Sequence, residues 1–125
     1  MVAVADLSWP QRTALVLGAL LVVWGLVDFV AGRTPLGLLH VITGAAVLVA
    51  AFRARAIRLV GTLMGLVFLV VFAYGLGDTG GAMDAGFLGN AAHLLLGFAS
   101  VGIAESCVWC EQRTRGAVRR VERLP

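Results

Sequence analysis

The chain contains two histidines, His40 and His93, and each opens the same short pattern: His40-Val41-Ile42-Thr43-Gly44 and His93-Leu94-Leu95-Leu96-Gly97. A neutral imidazole offers one donor and one acceptor, ligates haem or a divalent metal, and exchanges a proton near neutral pH. Two aspartates close a second matched pair, Trp24-Gly25-Leu26-Val27-Asp28 and Tyr74-Gly75-Leu76-Gly77-Asp78. Asp28 and Asp78 are therefore the natural carboxylates to orient a histidine, or to add oxygen donors to a metal set of His40, His93, Asp28 and Asp78. Three chemistries fit these residues: axial ligation of haem by His40 and His93, a metal site, and a proton relay. The simpler expectation is a hydrogen bond between helices that clips the fold together.

Cys107-Val108-Trp109-Cys110 has the spacing of a redox or metal motif. The chain has two cysteines in all, so it lacks the second pair that a tetrahedral zinc site needs. Small apolar residues at a helix end are the expected reading. The chain shows no Gly-rich phosphate loop and no Ser/His/Asp set, and it leaves too little sequence outside its apolar runs to fold an enzyme domain. No catalytic residue is assigned, and no cofactor is required.

The elements that must carry these residues are apolar. Hydrophobic residues make up 60% of the 125 residues and charged ones 14%, with a mean hydropathy of +0.95. That composition lies far from a soluble domain and close to a membrane protein. Four runs, Thr13–Ala31, Leu36–Phe52, Leu59–Leu76 and Phe87–Ala104, each cover about 25–29 Å as helix, against a hydrocarbon core of ~30 Å. The first run lacks a preceding basic segment and exceeds a signal peptide's apolar core, so it is expected to stay as a span. The predicted fold is an all-α integral membrane bundle of four transmembrane helices, built from two copies of one helical hairpin (13–52 and 57–104) within residues 1–106. Residues 107–125 form a basic tail.

Arginine placement orients that bundle. All ten basic residues are arginine. With four spans, Arg12, Arg53, Arg55, Arg58, Arg113, Arg115, Arg119, Arg120 and Arg123 share one side and Arg33 alone occupies the other. The positive-inside rule then puts both termini in the cytoplasm, in a bacterial inner membrane. Arg113, Arg115, Arg119, Arg120 and Arg123 are expected to lie against lipid headgroups. Nucleic acid is not an expected partner, because the net charge of +3 follows from topology. Helix packing is expected at Gly44, Gly61, Gly65, Gly89 and Gly97, since small residues let helix backbones approach where lipid removes the hydrophobic drive to associate.

The paired hairpins, and the element Asn90-Ala91-Ala92-His93-Leu94-Leu95-Leu96-Gly97, resemble a family of small four-span bacterial membrane proteins described as domain of unknown function 4383. The resemblance runs from about Leu15 to Glu105. The first copy departs from it, since Gly37-Leu38-Leu39-His40 has no asparagine. It implies an integral membrane protein and brings no activity with it. The expected function is association: an accessory or scaffold subunit of a membrane complex, or a homo-oligomer, without catalysis. The alternatives are a haem- or metal-binding redox module built on the paired histidines and, less favoured, a small transporter.

Overall fold

The computed structural model describes residues 7–108 and residue 112. Cys110 and the tail arginines Arg113, Arg115, Arg119, Arg120 and Arg123 lie outside the described residues. The four helices are α1 (Trp9–Val30), α2 (Thr34–Ala50), α3 (Ala54–Gly77) and α4 (Gly86–Ser106). Three of them, α1, α3 and α4, are long and apolar enough to cross a membrane, while α2 has 17 residues.

Local chemistry sets the helix ends. Ser8 caps α1, Pro10 occupies its first turn, and Gln11 Oε1 accepts hydrogen bonds from Ser8 N (3.0 Å) and Ser8 Oγ (2.9 Å). Gln11 Nε2 also donates to the Ala51 carbonyl at 3.0 Å, which ties the start of α1 to the end of α2. Gly32, at φ +75°, makes the tight turn after α1 that a side chain resists. Pro35 stands in the first turn of α2. The helix therefore begins at Thr34, ahead of the apolar run at Leu36, because a proline missing its N–H is well suited to that position.

Each helix buries one stripe. On α1 it is Pro10, Ala14, Gly18, Leu21, Gly25 and Asp28; on α4 it is Gly89, Asn90, His93, Gly97 and Ala104. Their spacing follows the helical period. The stripes pack α1 closely on α2 and α3 closely on α4, both pairs antiparallel. The close approach rests on glycine. A Cβ on Gly18 would stand 3.0 Å from the Gly44 carbonyl, and one on Gly44 would stand 2.8 Å from the Gly18 carbonyl. Gly25 and Gly37 repeat this reciprocal contact, and Gly65 and Gly97 do so between α3 and α4. Gly61 approaches Ala104 and Ser100 in the same way. Gly89 does not fit the expectation of helix packing. A Cβ there would meet only Ala85 of its own N-terminal turn.

The hairpins themselves meet more loosely, mainly along α2–α3 and α1–α4, so the helices follow one another around a square. α2 and α4 stand on its diagonal and their backbones scarcely approach. Outward faces are apolar throughout: Val30 is 91% exposed, Phe87 88% and Leu88 80%. A helix that shows water-averse residues on every side belongs in lipid.

The glycine contacts generate a test. Gly44→Leu should lower the unfolding free energy by about 1–3 kcal/mol through overpacking, read by titrating the protein in micelles with a denaturing detergent. At Gly102 an added Cβ would find nothing within 4 Å. Gly102→Leu should therefore leave that free energy unchanged.

Candidate functional site

The repeat brings His40 and His93 to the helix stripes that face the centre of the bundle, and there they touch. His40 Nε2 lies 3.0 Å from His93 Nε2, across the diagonal between α2 and α4. His40 Nδ1 lies 2.7 Å from Asp28 Oδ2 on α1, and Asp28 Oδ1 lies 2.8 Å from Arg33 Nη2 in the α1–α2 turn. The result is a continuous polar chain, Arg33–Asp28–His40–His93. Asp28 is 0% exposed, His40 1% and His93 0%. Arg33, with 43% of its side chain exposed, reaches the surface.

Aromatic rings enclose the imidazoles. Phe68 of α3, fully buried, stacks on His40 at 6.1 Å and on His93 at 5.7 Å between ring centroids. Trp24 of α1 meets His40 at 5.3 Å. Thr43, the next polar group along α2, donates to the Leu39 carbonyl of its own helix at 2.7 Å. Toward the Arg53 end the interior is apolar. A cavity of about 30 Å³ there is bounded by residues such as Ala14, Leu21, Val47, Ile57 and Leu96, room for about one water.

The two hairpins differ at this site. Asp28 caps His40, but the equivalent Asp78 is exposed and its carboxylate folds onto Gly81. The local cause is visible in sequence. Val27 continues α1 through Asp28, whereas Gly77 is the last residue of α3 and Asp78 is its C-cap. Asp84 is likewise turned into the loop, where it accepts from Gly80 N and Gly86 N at 2.8 Å each. These two backbone donors hold the Asp84 carboxyl below its ordinary range. Of the expected site residues, the structure thus unites Asp28, His40 and His93 and leaves Asp78 outside.

Phe68, Trp24 and Arg33 join the site without having been singled out for it. Phe68 lies ten residues before Asp78, where the first copy has Gly18 ten residues before Asp28. The departure from the repeat was the available signal.

Among the described residues there is no cluster of three or more His, Cys, Asp or Glu able to hold a metal ion. The described thiol, Cys107, is buried in an apolar cluster with Ala14, Ala51 and Ile57 at the Arg53 end, far from the histidines in sequence and on the opposite helix end of α4. The chain matches no protein-family model, and no curated protein and no solved structure matches it.

The geometry allows the link to be measured. In a double-mutant cycle, His40→Ala and His93→Ala should show a coupling of about 0.6–1.7 kcal/mol, the range for hydrogen bonds between membrane helices. Asp28→Ala, which leaves His40 Nδ1 buried without an acceptor, should cost about 1–3 kcal/mol. Asp78→Ala should cost nothing measurable in the same micelle unfolding assay.

Proposed function

We propose that this protein is a four-span integral membrane protein that acts by association, as an accessory or scaffold subunit of a membrane complex or as a homo-oligomer, with no catalysis of its own. In this reading α2 also crosses the bilayer. Its 17 residues span about 25 Å, at the short end for a membrane helix. The arginine asymmetry puts both termini and the Arg53 turn in the cytoplasm, and the Gly32 turn and the 78–85 loop outside a bacterial inner membrane. Kinship with the small four-span family is part of the same proposal and carries the same expectation of a membrane protein.

The observation that carries this reading is where the polar atoms go. Asp28 and His40 spend their side-chain atoms on Arg33, on each other and on His93. They join elements of the fold and do not line a chamber. Toward the Arg53 end, the small cavity below them is lined mainly by apolar side chains. What the protein offers to a partner is its apolar exterior.

The redox alternative places haem or a metal between His40 and His93. It would require the present His40–His93 bond to open, because a group ligated by both imidazoles would have to stand between the two Nε2 atoms that now meet at 3.0 Å.

Gentle extraction from native membranes separates the two. The association reading predicts stoichiometric co-purification with a second membrane protein or with further copies of the chain, and a featureless visible spectrum. A monodisperse, partnerless monomer contradicts it. A Soret band lost in both His40→Ala and His93→Ala would replace it with the redox reading.

A further inference from the structure

His93 uses one ring nitrogen. Its Nδ1 atom is buried and has no hydrogen-bond partner among the described residues, and neither has Asn90 Oδ1, three residues earlier on α4. Residues three apart share a helix face. Both side chains lie against α3: His93 stacks on Phe68, and Asn90 occupies the space over Gly75, where a Cβ would collide with Asn90 Oδ1. Phe68 and Gly75 are themselves two turns apart on the buried stripe of α3.

The protons of the chain can be assigned from one end. Asp28, facing the Arg33 guanidinium, is a carboxylate and only accepts, so His40 Nδ1 carries a proton. A neutral His40 then has a lone pair at Nε2. His93 must supply the proton between the two Nε2 atoms, and its own Nδ1 is left as a lone pair. Charging His40 instead would add a third charge to a buried site in which Asp28 and Arg33 already balance. The chain therefore ends in an acceptor, and Asn90, three residues earlier on the same helix face, carries a second acceptor, Oδ1. Two buried acceptors without a donor each carry a desolvation penalty, which a single group with two donors removes.

We propose that His93 Nδ1 and Asn90 Oδ1 form a binding site for one small neutral group with two hydrogen-bond donors, a water molecule. The first hairpin has no such site. Gly37 stands where the second has Asn90, and Asp28 already takes His40 Nδ1.

The test is solid-state nitrogen NMR of the full chain in lipid bilayers, labelled at histidine. His93 should appear with its proton on Nε2 and a bare Nδ1, and His40 with its proton on Nδ1. His93 Nδ1 should show a contact with a bound water. In Asn90→Leu that contact should be lost while His93 keeps its Nε2 proton. A proton on His93 Nδ1, or a bare Nδ1 in contact with no water, overturns the proposal.

Discussion

Hydrogen-bonding groups that a helix carries into an apolar interior must find their partners inside the protein, and His40 meets that constraint by giving its two ring nitrogens to two different elements. One goes to Asp28 on the helix it packs against, the other to His93 on the helix diagonally opposite. Removing water makes each of these bonds expensive to leave unmade. The link therefore has an effect larger than its modest net energy: it selects the arrangement of the two hairpins in which the two rings meet.

Glycine and histidine divide the work of holding this fold. Within each hairpin, backbones touch through reciprocal glycine pairs such as Gly18 with Gly44 and Gly65 with Gly97. Dispersion over such close contacts is what drives helices together in lipid. Between the hairpins the approach is looser, and across the α2–α4 diagonal it is made by side chains alone. Phe68 and Trp24 fill the flanks of that bridge and exclude lipid and water from it. Two hairpins joined by a polar clip present an exterior of exposed valine, leucine and phenylalanine, suited to apolar surroundings.

Much of this was legible in the residues themselves. The matched His-x-x-x-Gly and aromatic-Gly-Leu-x-Asp elements reveal a duplicated hairpin, and the helical period puts both histidines on inward faces. Repetition, however, only reports what the copies share. It makes Asp28 and Asp78 equivalent, while the fold separates them, because Gly77 ends α3 where Val27 continues α1. It also treats Gly37 and Asn90, or Gly18 and Phe68, as equivalent positions. Those substitutions are where the site becomes asymmetric: Phe68 stacks on both imidazoles, and Asn90 brings an acceptor that the first copy lacks. Gly89 shows the opposite failure. It has the right spacing for packing, yet its neighbour is its own helix start, because spacing identifies a face and does not say how near the next helix comes.

The joining of the two hairpins turns on one contact, the bond between His40 Nε2 and His93 Nε2. Scalar coupling transmitted through a hydrogen bond between two labelled nitrogens detects such a contact directly, in the intact protein in a bilayer. The structure predicts a resolved nitrogen–nitrogen coupling between these two atoms. No coupling in the unsubstituted protein, with both rings otherwise ordered, would mean that the hairpins are held by packing alone and that the polar chain ends at His40.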